Sequence, residues 1–281
     1  MRVLTWNLWW RFGPWEERRK AILAVLGDVQ PDVIGLQEVW DCDGENLAGW
    51  LAAQLGMHWT WASSRSPQRW QRRLGDATVD IGNAILSRWP IAEHDVAQLP
   101  ARPDDDDGRL ALYARIDAPT HQVPFFTTHL TSAIDASAIR CQQVKTLAEF
   151  ATVHSRGTDH PPIVTGDFNA WPDSDEVRQF GGYKTAPAVP GRVFLDAWEY
   201  ADPAQPSATW NPANPYVAAG FEPSVRVDYI HIGPPGPEGL GSVTSVRRVG
   251  DDPVDGVWPS DHAAVLADLR GPSEQHPLPS L

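Results

Sequence analysis

Cysteine is nearly absent. Cys42 and Cys141 are the only two in 281 residues. Two thiols cannot form the disulfide framework of a small secreted domain, so both are expected to be buried and reduced. Long apolar runs are missing too. No stretch approaches the about 20 apolar residues that cross a bilayer. Met1-Arg2 passes straight into Val3-Leu4-Thr5-Trp6, without the segments of a secretory leader. These absences point to the cytoplasm. Positive charge is scarce: 23 Lys and Arg stand against 36 Asp and Glu, a net charge of −13. A field of that sign does not favour polyanions, although an acidic enzyme can recruit a divalent cation to work on one. No Gly-x-x-x-x-Gly-Lys-[Ser/Thr] loop, no Gly-x-Ser-x-Gly elbow and no Cys-rich or His-x-x-x-His pattern occurs. Nucleotide-triphosphate cradles, that class of serine hydrolase and structural zinc are therefore not indicated.

Tryptophan, in contrast, is abundant, with 14 residues. Trp9, Trp10, Trp40, Trp171 and Trp258 flank polar clusters. Aromatic residues mostly pack in cores, and the alternative is an aromatic rim around a pocket. The length fits one α/β domain over residues 1–270, followed by a Pro-rich polar tail at 271–281. Hydrophobic patterning predicts strands at 2–8, 32–39, 58–62, 81–86, 110–116, 123–129, 161–167, 225–232 and 263–269. It predicts helices at 15–27, 45–55 and 137–152, with Gly27 as a stop. Strands and helices mix without a composition shift or a repeat, which implies mixed sheets covered by helices. Arg65, Arg69, Arg72 and Arg73 cluster around Trp70. They read as a solvated face or as a basic lip over an anionic substrate. The run Asp104 to Asp107 reads as an exposed loop without chemistry.

The informative feature is where polar residues fall. Gly166-Asp167-Phe168-Asn169 closes the apolar run Pro162-Ile163-Val164-Thr165. Strand alternation would send Asp167 and Asn169 to one face. The same placement recurs at Asn7, Glu38 and His129, at Asp228 in Val227-Asp228-Tyr229, and at Asp261-His262 before the last strand. Each residue alone could tie down a loop. Carboxylates, carboxamides and histidines repeated at the ends of apolar strands instead describe one pocket. Carboxylate and carboxamide oxygens suit a hard cation such as Mg2+, with Mn2+ as its substitute. A histidine oriented by an aspartate is a proton acceptor near neutral pH. Together they fit hydrolysis of a phosphate ester.

The ordered series Trp6-Asn7, Leu36-Gln37-Glu38-Val39, residues 82–88, Thr128-His129-Leu130, Gly166 to Asn169, Val227 to Ile230 and Ser260-Asp261-His262 resembles the endonuclease/exonuclease/phosphatase superfamily. The resemblance runs from Val3 to about Leu269. It implies a four-layer α/β sandwich, two mixed β-sheets packed face to face with helices on the outside. It implies Glu38 as the principal metal ligand, with Asn7 and Asp261 at the same site. Asp167 and Asn169 would orient the attacking water and hold the phosphate. His262, with Asp228, would be the general base or a phosphate contact, and His129 would bind the phosphate or protonate the leaving oxygen. Asp167 and His262 stay rivals for activating water. Where pancreatic-type nucleases support the first histidine with a glutamate, this chain offers Asp80 or Asn83. Three functions follow. The first is a Mg2+-dependent phosphodiesterase or phosphatase on a small or lipid-like ester, favoured by the charge and the tryptophans. The second is a nuclease using the arginines and stacked tryptophans. The third is a catalytically silent binding protein, disfavoured because every motif is retained.

Overall fold

The computed structural model describes residues 1–103, 106–220 and 222–271. The tail beyond Gly271, and Asp104 and Asp105 of the acidic run, lie outside the described residues. In chain order the elements are β1 (Arg2–Asn7), α1 (Trp15–Val29), β2 (Val33–Cys42), β3 (Glu45–Asn46), α2 (Leu47–Leu55), β4 (His58–Ser63), α3 (Gln68–Leu74) and β5 (Asp80–Ser87). After these come β6 (Ile91–Gln98), β7 (Leu110–Asp117), β8 (Gln122–His129), α4 (Ser137–His154), β9 (Ile163–Asp167) and α5 (Asp175–Gly181). The chain finishes with β10 (Leu195–Asp196), α6 (Pro215–Ala218), β11 (Asp228–Ile232), β12 (Val243–Val249) and β13 (Ala264–Leu269).

Two mixed sheets result. One runs β12-β13-β1-β2-β5-β4, with β3 beside β2, and the other runs β10-β11-β9-β8-β7-β6. The period-2 alternation of each strand sorts its side chains. In β1, Leu4 and Trp6 face α1, while Val3 faces the second sheet. Val33, Ile85, Leu112, Phe125 and Ile230 join Val3 in the layer between the sheets. Val144 and Leu147 of α4 cover Phe126 and Val164 on the far side of the second sheet. Helix, sheet, sheet, helix is the four-layer sandwich. Gly35 permits the close approach of the sheets at its centre: a Cβ there would fall 2.1 Å from Thr165 Oγ1 and 2.9 Å from Thr127 Oγ1.

Several local expectations are corrected. Gly27 does not stop α1, which continues to Val29 and caps on left-handed Gln30. Strands β6 and β12 escape the hydrophobic reading because they are edge strands, half exposed along their length. Residues 45 and 46 belong to a strand, and Asn46 caps α2 by accepting from the Ala48 and Gly49 amides. Cys42 is buried and Cys141 only half-buried, and both are free thiols. No helix among the described residues is long and apolar enough to cross a membrane.

Candidate active site

Strand direction brings the polar residues to one end of the sandwich. β1 and β2 are parallel, as are β8 and β9, so Asn7, Glu38, His129 and Asp167 all lie toward C-terminal strand ends. β11 runs antiparallel to β9 and starts where β9 stops, which sets Asp228 opposite Asp167. Asp261 and His262 precede β13, antiparallel to β1, and so reach the same end.

Asp167 is the hub. Its Oδ2 accepts from Asn7 Nδ2 at 3.0 Å, a bond that crosses from one sheet to the other. The same oxygen lies 3.4 Å from His129 Nε2 and 3.8 Å from His262 Nε2. Its other oxygen accepts the Asn169 amide at 2.8 Å. His262 Nδ1 is 2.9 Å from Asp228 Oδ2. Trp210 packs edge-on against the His262 ring, with centroids 4.9 Å apart. Trp6 Nε1 donates to the His262 carbonyl at 2.9 Å. Asn169 does not continue the strand alternation. Phe168 N–H turns to the Val227 carbonyl, Asn169 adopts a left-handed φ of 48°, and its carboxamide donates to Leu130 O at 3.0 Å.

Glu38 is aimed by a backbone irregularity. The pairing of β2 with β5 slips between Leu36 and Val39, and Glu38 has a φ of 53°. Such a bulge re-directs a side chain at the cost of local strain. The Leu8 and Trp10 amides hold it by donating to the Gln37 and Glu38 carbonyls at 2.9 and 3.1 Å. Ser260 ties the remaining segment in, with its Oγ 2.6 Å from the Asn7 carbonyl and 3.2 Å from Asp261 Oδ1.

Burial sets the charge states. Desolvation raises Glu38, raises Asp167 to about 6 with Asp228 adding to it, and raises Asp261 to about 7 with Glu38 adding to it. Burial would lower His262, but Asp228, Asp261 and Asp167 overcome it and hold the imidazole well above its ordinary range. His129 moves well below that range, through burial and then the Arg109 charge. Buried carboxylates this crowded call for added positive charge, which a bound cation would supply. The oxygens of Glu38, Asp261 and the Asn7 carboxamide suit a hard divalent ion. Asn7 Oδ1 accepts the Trp9 amide and keeps a second lone pair. Asp167, Asp228 and His262 also offer ligand atoms within 4.8 Å of one another. There His262 Nδ1 is already engaged by Asp228, so that trio reads better as a proton-handling group.

Some contributors escaped the sequence reading. Arg109 and Asp107 line the pocket that contains Glu38, His129 and Trp70. Both are buried, and Arg109 Nε donates to Asp107 Oδ2 at 2.8 Å. Asp107 is thus corrected from an exposed, inert loop position to a buried ion-pair partner. Arg18 is buried within α1 and donates to the carbonyls of Leu8, Trp9, Trp10, Phe12 and Pro259. It fixes the loop behind Asn7 and the approach to Asp261. A charge on the apolar stripe of α1, one turn before Ile22, was the signal available. No hydrogen bond among the described residues joins Asp80 or Asn83 to His129; Asn83 Nδ2 donates to Leu110 O. Of the flanking tryptophans, Trp10 and Trp40 are core, Trp9 and Trp258 are half-buried, and Trp171 is exposed.

Comparison with known proteins shows a family and a fold. The sequence pattern of the Endonuclease/Exonuclease/phosphatase family matches residues 4–262. Protein angel of Drosophila melanogaster is 28% identical over 176 residues, 59% of this chain and 47% of that protein. Sphingomyelinase C of Bacillus cereus is 24% identical over 188 residues, 60% of this chain and 56% of that protein. The chain spans about half the length of these curated relatives. The solved D. rerio TDP2, complexed with a single-strand DNA product, superposes with a TM-score of 0.73 at 19% identity, covering 95% of this chain and 97% of that one.

Proposed function

Since the chain belongs to the Endonuclease/Exonuclease/phosphatase family, we propose that it hydrolyses a phosphate ester with a divalent cation, Mg2+ first and Mn2+ as its substitute. The substrate is a small or lipid-like ester. One observation carries the reading: Asp167 Oδ2 is ringed by Asn7, His129 and His262, beside the buried carboxylates Glu38 and Asp261. Glu38, Asn7 and Asp261 are the residues that would hold the cation. Bound there, it would neutralise charge on the phosphoryl oxygens and on the departing oxygen.

The chain's own groups do the rest. Asp167, raised to about 6, takes the proton of the water whose oxygen bonds to phosphorus. Asn7 Nδ2 and the Asn169 amide orient that carboxylate. His262, kept protonated by Asp228, donates Nε2–H to a phosphoryl oxygen and supplies the proton to the alkoxide as the phosphorus–oxygen bond breaks. His129 stays neutral and contributes one N–H to the phosphate. Sphingomyelinase C among the relatives supports a small or lipid-like diester. TDP2 with its DNA product is the observation behind a second reading, a nuclease.

The deciding experiment is hydrolysis of bis(p-nitrophenyl) phosphate, p-nitrophenyl phosphate and plasmid DNA side by side, each with Mg2+, Mn2+ or EDTA. Cation-dependent release of nitrophenol with intact plasmid is the expected result. Nicking that disappears in EDTA and at high salt would transfer the assignment to the nuclease. Turnover that survives EDTA would overturn the cation site.

A further inference from the structure

Three arginines crowd one indole. The guanidinium carbons of Arg69, Arg73 and Arg109 lie 5.6, 5.4 and 5.6 Å from the Trp70 ring centre. Arg109 is balanced by Asp107 and also reaches Ser132 Oγ at 3.3 Å. Arg69 and Arg73 have no carboxylate within ion-pair distance among the described residues. Arg65, by contrast, is paired with Asp106. Arg69 stands one turn from both Arg72 and Arg73 on α3, a spacing at which like charges repel. Arg69 is half-buried and Arg73 exposed; in a chain with a net charge of −13, no carboxylate among the described residues pairs with either, and an anion between them would relieve their repulsion. The indole they flank, Trp70, lines the same pocket as Glu38 and His129, and Arg109 lines it too. Arg69 is also near enough for its charge to join Arg109 in holding His129 down.

Resting on the reading that this site cleaves a phosphate ester, we propose that Arg69 and Arg73 form a subsite for a second phosphate group on the same substrate molecule. The guanidinium fork is suited to phosphate oxygens; Arg73 lies over both Phe12 and Trp70, and Arg69 over Trp70. The substrate class narrows to esters that carry two phosphates, either a small bisphosphate or a nucleotide strand whose next phosphate occupies the subsite.

A matched pair of esters tests this: thymidine 5′-(p-nitrophenyl phosphate), and the same ester with an added 3′-phosphate. The wild type is expected to show about tenfold higher kcat/KM on the second, mainly through KM. The preference should collapse toward unity in Arg69→Gln/Arg73→Gln. It should persist in Arg156→Gln/Arg192→Gln, which removes two exposed cations that do not line the pocket and so controls for overall charge. An oligothymidylate ester forms a third arm. A gain on it without a gain on the small bisphosphate assigns the second phosphate to a strand. Equal kcat/KM for all three esters, or a double variant that keeps the wild-type preference, overturns the subsite. Calorimetric titration with inorganic pyrophosphate in EDTA separates the two readings. If neither ester is hydrolysed with any cation, the hydrolase reading fails. The subsite then stands only if the double variant binds pyrophosphate about tenfold more weakly than wild type. Equal binding would reduce the arginine cluster to packing of α3.

Discussion

At the scale of single residues, the site is a problem in electrostatics. Glu38, Asp167, Asp228 and Asp261 are all buried near one another, with Arg18, Arg109 and His262 as the neighbouring positive charges. Replacing Glu38 by glutamine keeps the shape and removes one negative charge. On the proposed reading, the Mg2+ concentration for half-maximal turnover should rise by about tenfold or more. A cation dependence identical to wild type would remove Glu38 from the ligand set. Asp228→Asn acts on protonation. Asp228 is the strongest of the charges raising His262, so its loss lowers the imidazole pKa. If His262 works protonated, the alkaline limb of kcat against pH should move to lower pH, with kcat down by about 100-fold. An unmoved limb would mean that His262 does not donate a proton. The identities and strand-end placement of these residues were legible in the sequence. The charge states were not, because they depend on neighbours distant in the chain: Asn7 and Asp167 are 160 residues apart, His262 and Asp228 34.

At the scale of elements, geometry depends on small departures from regularity. β2 carries the slip that aims Glu38, and no residue type in Leu36-Gln37-Glu38-Val39 demands it. Alternation sorts core from inter-sheet faces in β1, but it does not extend two residues past the end of β9, to Asn169. There the hydrogen bond from Phe168 to Val227 takes over from the strand ladder. Gly35 shows how closely the two sheets meet. A methyl at this position would collide with the hydroxyls of Thr165 and Thr127, short side chains with little freedom to retreat. Gly35→Ala should destabilise the fold by about 1–3 kcal/mol, measured as a shift in urea midpoint. Thr165→Ala added to it should recover part of that loss. No recovery would place the collision elsewhere.

At the scale of the whole molecule, a chain of net charge −13 concentrates buried carboxylates at one end of its sandwich. Asp261, raised to about 7, resists ionisation in the fold, so each step of pH from its unfolded value up to about 7 weakens the folded state. His262 is raised as well. Its contribution is full below the unfolded histidine value and is lost as pH climbs through the folded one. Both losses run the same way above pH 6.5. His129, shifted downward, matters only in acid, below its unfolded value. The chelated protein should therefore lose Tm between about pH 6.5 and 8, and Mg2+ should restore most of it at the upper end. A Tm that is flat over this range in EDTA, or indifferent to Mg2+, would contradict the crowded-carboxylate picture.

The α/β class, the polar residues at strand ends and the family were legible in the chain alone, because local periodicity and short motifs are written in adjacent positions. Tertiary structure decided what no local pattern can encode. It made Asp107 and Arg109 part of the pocket wall and turned Arg18 inward to hold five carbonyls. It also brought Arg109 to Trp70, beside the Arg69 and Arg73 that flank that indole in the chain. The physical reason is range. Hydrophobic alternation acts between neighbours in the chain, whereas desolvation and Coulomb interactions act between neighbours in space.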